Sequence, residues 1–486
     1  MKRILILLCS NVVFSQIQVG ANINGSYAGD HFGEAVAINS TGNIVAIGAP
    51  SNSEVGNESG QVKVISYDGG NWSQLGGLLN GLVSSDEVNF GSSLSISSNG
   101  LILAVGSPNY DSTANDVGLV QIFKYENSDW VQLGNTIIGT QDDSFTGASI
   151  SLSSDGNRIA VGSPGKSIDG LQRGNVTIYE LVSNVWSQLG TSIIGDLNQV
   201  FFGNQIKLNS TGDNVIISDF NIDIEPTKIG KVKVYSFDGT NWTQKGNSIF
   251  GLLSEDNRLK SVDMSNDAST IVIGIPGSDV NGNDSGKVRV YSLNNTDWLQ
   301  KGLDIDGTLM SDLFGFSVKL FNSGNGIIIG SPNFNSKGKI SFYEYISNNW
   351  QQSGNDVIGE NVGDFFGISI SISENNLVSV GAFGNDTNGN NSGQVKVFDI
   401  NNSLTLEESD SHRVMVYPNP VESNIFFDTG DKMIENIIIY NSGGQEVLEK
   451  GCLDNKLLYV EDFSKGVYFL EYTIDGKKYF KNILKK

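Results

Sequence analysis

The chain has 486 residues, 58 of them glycine and only 8 proline, and a formal charge of −22. Val, Ile, Ser, Asn and Gly dominate, a composition that favours short strands and tight turns over helices. The charge argues against nucleic acid or an anionic membrane as partner.

Lys2 and Arg3 precede the apolar run 4–8, and Val13-Phe14-Ser15 before Gln16 fits a cleavage site. Residues 1–15 therefore read as a secretory signal, too short to cross a bilayer as a helix. No later stretch reaches ~18 apolar residues, so no transmembrane segment is expected in the mature chain. Cys9 would leave with the signal and Cys452 would remain alone, so no internal disulfide is expected.

From residue 16 the chain repeats. Trp72, Trp130, Trp186, Trp242, Trp298 and Trp350 stand 58, 56, 56, 56 and 52 residues apart, each followed by Gln and then Gly in one frame. Apolar residues alternate within each repeat, and turn residues divide it, which predicts four antiparallel strands per copy. Seven copies start, five of them with Phe-Gly: Phe32-Gly33, Phe90-Gly91, Phe202-Gly203, Phe314-Gly315 and Phe366-Gly367. The pair is altered at Phe145-Thr146-Gly147 and lost near Arg258-Leu259. The seventh copy stops at 395–399 without its fourth strand, and 18–25 matches the missing piece as 132–139 supplies it elsewhere. A closed ring explains the split: the N-terminal strand completes the last sheet and covers its edge. The expected fold is all-β, a seven-bladed β-propeller over 16–400.

Phe32-Gly33 with Gly48-Ala49-Pro50, and the variants Gly106-Ser-Pro108, Gly162-Ser-Pro164 and Gly330-Ser-Pro332, resemble FG-GAP repeats, the blades of integrin-α-like propellers. That resemblance implies a ligand-binding face on the long-loop rim. It departs from the family at the turns between strands one and two, which lack the Asp-x-Asp-x-Asp-Gly calcium loop; calcium is not carried over to them.

Residues 401–411 read as a linker and 412–486 as a small Ig-like β-sandwich, with strands expected at 413–417, 424–428, 435–440, 445–449, 457–460, 466–474 and 478–484. Tyr417-Pro418-Asn419-Pro420, Gly466-Val467-Tyr468 and the basic end at Lys485 and Lys486 occur in this order. Together they resemble the type A sorting domain of the type IX secretion system of Bacteroidota. The resemblance implies passage across both membranes, the secretion machinery and its sorting protease as partners, and a passenger either released or held at the cell surface.

The long loops gather the acids. The loops between strands two and three carry ten, and the crossings between copies carry eleven more, including Asp30, Asp312 and Asp364, against Lys166, Arg173, Lys228 and Lys337. Asp111, Asp116, Asp142, Asp143, Asp279, Asp284 and Asp386 are the candidate ligand-face residues. Asp279, Asn281 and Asn283, and Asp386, Asn388 and Asn390, come nearest to alternating oxygen ligands, yet lack the bidentate Glu of a helix–loop–helix site. No cofactor is expected, calcium being the one candidate.

Enzymatic signals are few. The two histidines are His31 and His412, no serine is marked beside His31, and the cysteine pattern of a zinc cluster is absent. The reading is an exported cell-surface or secreted binding or adhesion protein with an extracellular protein or glycan ligand. The alternatives are a structural surface component without ligand and a carboxylate-based polysaccharide hydrolase.

Overall fold

The computed structural model describes residues 16–82, 88–112, 114–196, 201–219, 230–250, 259–401, 415–429, 433–441, 445–453, 456–474 and 477–486. The expected signal segment, 1–15, and most of the expected linker, 401–411, lie outside them. The chain groups into two compact units, Met1–Ser403 and Leu404–Lys486.

The first unit holds seven five-stranded antiparallel sheets, numbered here in chain order from Ala35. Their inner strands are Ala35–Ile38, Ser93–Ile96, Ser149–Leu152, Gln205–Leu208, Ser261–Met264, Ser317–Phe321 and Ile370–Ile372. Each inner strand touches the next, and the last touches the first, so the ring of a β-propeller closes. The second strands, such as Ile44–Ala49, are buried at every residue or at all but the first, because both sheet faces are covered by neighbours. One core fills each space between sheets; Val120, Ile122 and Ile137 of sheet 2, for instance, pack on Ile150, Ile159 and Val161 of sheet 3.

The N-terminal segment closes the ring. Ile17 and Gln18 pair with Asp399 and Phe398, and Ile23 and Asn24 with Val395 and Gln394. Ile23 then shares a core with Ile38, Val45 and Ile47 of sheet 1 and Val395 and Val397 of sheet 7. This joint is packed like the others, with strands drawn from both ends of the unit.

Each sheet has five strands where the sequence predicts four. The expected fourth strand is broken in two: in sheet 2, Asp129–Gln132 pairs with the outer half of Leu119–Glu126, and Ile137–Ile138 with its start. The break centres on Gly134, whose φ is +75°. A Cβ there would lie 2.8 Å from Cδ1 of Trp186 in the next sheet. That indole donates to Leu133 O at 2.9 Å. The same bond joins all six tryptophans to the preceding sheet, at 2.6–2.9 Å. The spaced Trp and Gly are thus two halves of one clasp between adjacent sheets. In the repeat frame of sheet 7, Gln16 stands where the other sheets carry tryptophan.

The Phe-Gly and Gly-Ala-Pro elements also meet across joints. Phe90, wholly buried, fills the core, while a Cβ on Gly48 would lie 2.1 Å from Gly91 O of the next sheet. Sheet 5, which lacks Phe-Gly, puts buried Leu259 into its core. Lys260 N–H there donates to Gly274 O, the bond that a motif glycine makes in other sheets, as Gly315 does to Gly330.

The second unit has sheets of three and four strands. Its strands are Met415–Tyr417, Asn424–Asp428, Asn436–Asn441, Glu446–Lys450, Leu457–Tyr459, Gly466–Ile474 and Lys477–Lys485, each within about three residues of its expected bounds. Ile425, Ile437, Ile439, Leu458 and Leu470 are among the buried residues between the sheets.

Candidate functional site

In an antiparallel meander, the first-to-second and third-to-fourth turns share one rim, and the longer connections share the other. The short-turn rim is tied together. Ser40 N–H donates to Ser98 O, Ser98 to Ser154 O, Ser154 to Ser210 O and Glu374 to Ser40 O, each from one sheet to another.

On the long-loop rim the loops of sheets 2, 5 and 7 dock on the crossing that leaves their own sheet. Asp111, Asp116, Asp142 and Asp143 form one such cluster. Asp116 N–H donates to Asp111 Oδ1 at 2.6 Å, Asn115 N–H to Asp142 Oδ1 at 2.9 Å, and Asp143 N–H to Asn115 O at 3.0 Å. Asp279 accepts from Asp284 N–H, and Asp386 from Asn391 N–H, both at 2.8 Å. Asp116, Asp284 and Asn391 all have positive φ, so these carboxylates cap a tight, left-handed turn.

The candidate calcium ligands serve the same loops. Asn281 Nδ2 donates to Gly307 O and Asn388 Nδ2 to Gly25 O, each at 2.7 Å. Asn283 Nδ2 reaches Asp284 Oδ2 at 3.0 Å, and Asn390 O accepts from Gly29 N–H. The structure brings the acids of sheets 2, 5 and 7 into three separate clusters. Among the described residues, no three His, Cys, Asp or Glu side chains are grouped to hold a metal.

The count of acids on this face needs a correction. Asp30, Asp312 and Asp364 are buried, at 4%, 3% and 3% exposure. Asp30 accepts from Tyr27 N–H and Asn52 Nδ2, and Asp364 from Asn361 N–H and Asn385 Nδ2. Asp30 and Asp364 thereby lock the crossing before Phe-Gly, and the surface charge is left to others such as Asp142, Asp143, Asp279 and Asp386, which are exposed. Burial pushes the Asp312 carboxyl up to about 6, opposed by the positive charge of Lys339.

The inner strands enclose a central cavity of about 1380 Å³. His31, Glu34, Lys260, Phe316 and Phe383 line it at the end where the crossings enter. His31 Nδ1 lies 3.2 Å from Ser51 Oγ and 3.7 Å from Glu34 Oε2. A serine does therefore stand beside His31, contrary to expectation. Serine and acid approach the same ring nitrogen, so no relay runs through the imidazole from acid to serine. Glu34 keeps 42% of its side chain accessible, but within a concave mouth. Removal from bulk water raises its carboxyl pKa, while His31 and Lys260 oppose the rise. Burial lowers the Lys260 ammonium, which rests 5.2 Å from the centre of the Phe316 ring.

Deeper in the cavity lie Lys207, Asp263 and Lys319, one on each of three successive inner strands. The sequence reading missed this set. Its signal was present: these strands keep their apolar positions from copy to copy while the alternate positions vary from Ala and Ser to Lys and Asp. A repeat's variable positions are the ones its scaffold leaves free.

The sorting-motif pieces converge in the second unit. Gly466, Val467 and Tyr468 pair with Lys485, Leu484 and Ile483. Asn419 Oδ1 accepts from Leu484 N–H at 2.9 Å, and Lys486 N–H donates to Val421 O, next to Pro420. Tyr417 stacks on Phe426 at 5.8 Å. Pro418 is exposed.

Residues 415–486 match the family model described as "Secretion system C-terminal sorting domain". Residues 359–398 match the model described as "FG-GAP repeat". No curated protein matches the chain. Among solved structures, the chain is similar to "Crystal structure of RRP9 WD40 repeats", at 11% identity and a TM-score of 0.50, covering 79% of this chain and 100% of that one. It is also similar to "Structure of U3-55K", at 12% identity and a TM-score of 0.51, covering 78% and 98%. These likenesses speak for the fold alone. Among the described residues, no helix is long and apolar enough to cross a membrane. The chain is an exported β-propeller protein that carries an FG-GAP repeat and ends in a type IX secretion sorting domain, with the secretion machinery as its partner and the outside of the cell as its destination.

Proposed function

We propose that this exported chain is a binding protein of the cell surface or its surroundings, that 16–400 is the passenger and 412–486 its sorting tail, and that the passenger engages an extracellular protein or glycan through the long-loop rim. The observation that carries this reading is the composition of that rim. Asp142, Asp143, Asp279 and Asp386 are exposed on it. Beside such acids stand exposed apolar side chains on the crossings: Tyr27 at 56%, Met310 at 66% and Val362 at 71%. Apolar anchors set among charges are the makeup of a recognition surface. Loop-borne side chains on a rigid sheet ring also suit recognition.

The test is binding of the purified chain to arrays of extracellular glycans and matrix proteins. A hit that weakens tenfold or more in the variant D142N/D143N or in M310S/V362S supports the reading. Hits that survive both variants, or no hit at all, would sink it.

A further inference from the structure

The inner strand is the edge of each sheet, and its outward N–H groups need acceptors. One position supplies an acceptor at four of the seven joints. Ser95 Oγ accepts from Leu152 N–H of the next sheet at 2.8 Å, Ser151 Oγ from Leu208 at 3.0 Å, and Ser371 Oγ from Ile38 at 3.2 Å. Asp263 does the same through Oδ2, which accepts from Leu320 N–H at 2.8 Å.

Lys207 and Lys319 hold this position in sheets 4 and 6. An ammonium has donors only, so neither can cap Met264 or Ile372 of the following sheet. Three joints of the ring lack this cap, at Ala37, Lys207 and Lys319, and at two of them an ammonium group lines the cavity instead. Between them Asp263 is 4% exposed. Among the described residues its Oδ1 has no hydrogen-bond partner; Lys319 Nζ stands 3.8 Å away. Lys207 has no ion pair within 4 Å among the described residues. Burial lowers its pKa, Asp263 draws it up, and Lys319 pushes it down.

This level of the cavity thus offers two cationic donors and one carboxylate oxygen still seeking a donor. The ligand that satisfies all three carries an anionic oxygen group next to a hydroxyl. We propose that Lys207, Asp263 and Lys319 form a binding site for a hydroxy acid of sugar size, such as a uronic acid, with the lysines on its carboxylate and Asp263 Oδ1 accepting from a neighbouring hydroxyl. A cavity of about 1380 Å³ admits such a molecule. The site is distinct from the long-loop rim, and either can fail while the other stands.

The experiment is calorimetric titration of the purified chain with sodium glucuronate, acetate and glucose at constant ionic strength, with thermal melting alongside. Glucuronate should bind saturably, and acetate and glucose at least tenfold more weakly, since each lacks one of the two groups. Lys207→Ser and Lys319→Ser should abolish binding and also raise the melting temperature, because each restores the missing hydroxyl cap. That pairing of signs separates a lost site from a damaged fold. An oligosaccharide ending in glucuronate locates the source: tighter binding than the monomer assigns a chain end, weaker binding a free acid. No saturable response to glucuronate, an equal response to acetate, or unchanged affinity in both serine variants would overturn the proposal.

Discussion

The indole N–H of Trp186 donates to the carbonyl of Leu133 across the joint between sheets 2 and 3, at 2.9 Å. Trp186 is 3% exposed, so the bond is shielded from water. Trp186→Phe keeps an aromatic ring but, with the smaller side chain, leaves Leu133 O without its donor, and should cost at least ~1–3 kcal/mol. Gly134→Ala should cost a similar amount, because the new methyl both meets the indole and sits at positive φ. Urea unfolding of the two variants checks this; an unchanged midpoint in both would remove the clasp from the account of stability.

Ring closure makes a second prediction. Deleting 16–25 removes the strands that pair with 394–399 and the acceptor Val19 O used by Trp72 at 2.8 Å. Val395 and Val397, buried at 0% and 1%, would lose part of their cover. The melting temperature should fall by several degrees. Ile23→Ala, at 8% exposure, is the gentler form and should cost about 2 kcal/mol. A deletion that melts like the parent would show that the N-terminal strand is dispensable.

Much of this ring was legible in the sequence, and the reason is repetition. The Trp spacing, the Phe-Gly starts and the split seventh copy all report contacts made once per sheet. The strands of the second unit were legible from alternation alone. The broken fourth strand was not, because the partner of Gly134 is a tryptophan 52 residues on, and periodicity does not say which residues meet. Asp30, Asp312 and Asp364 misled for a related reason. A loop acid is usually solvated, and only the fold shows that all three are buried and that Asp30 and Asp364 hold Asn side chains. Lys207, Asp263 and Lys319 were hidden because alternation marks a position as facing away from the core without saying that it faces a cavity.

Asp312 gives a pH prediction. Its folded pKa, about 6, lies above the unfolded value near 3.8. The folded chain therefore holds the proton more tightly than the unfolded chain. The stability from this group is fully present below about pH 4 and is lost as pH rises through 6. Asp312→Asn cannot ionise, so it should gain stability relative to the parent between pH 4 and pH 7. Denaturant unfolding at several pH values measures the difference; a constant difference across that range would contradict a raised carboxyl at this position.

The loop carboxylates give a prediction about calcium. Asp279 and Asp386 already cap backbone N–H groups, and the Asn281 and Asn388 amides donate to carbonyls. A cation would have to break these bonds to gain its oxygens. Millimolar calcium should leave the melting temperature unchanged, and Asp279→Ala should cost about 1 kcal/mol with or without calcium. A calcium-dependent rise in melting temperature that vanishes in Asp279→Ala or Asp386→Ala would reverse this account.

The last prediction concerns export. Asn419, Gly466–Tyr468 and the chain end are far apart in sequence, yet Asn419 Oδ1 holds Leu484 N–H while Gly466 pairs with Lys485. If the secretion machinery reads this corner as one surface, loosening it should impair export more than an equal loss of stability elsewhere. Asn419→Ala removes the acceptor and should destabilise the unit by about 1 kcal/mol. Tyr440→Phe is the matched control: it removes the 3.1 Å bond between Tyr440 Oη and Glu471, which joins the Asn436–Asn441 and Gly466–Ile474 strands without touching Asn419 or the chain end. Both variants are expressed in a host with the secretion system, and the chain is measured in cells, on the surface and in the medium. Retention of Asn419→Ala alone supports recognition of the corner. Equal retention of both assigns the effect to folding, and full export of Asn419→Ala shows that the machinery reads something else.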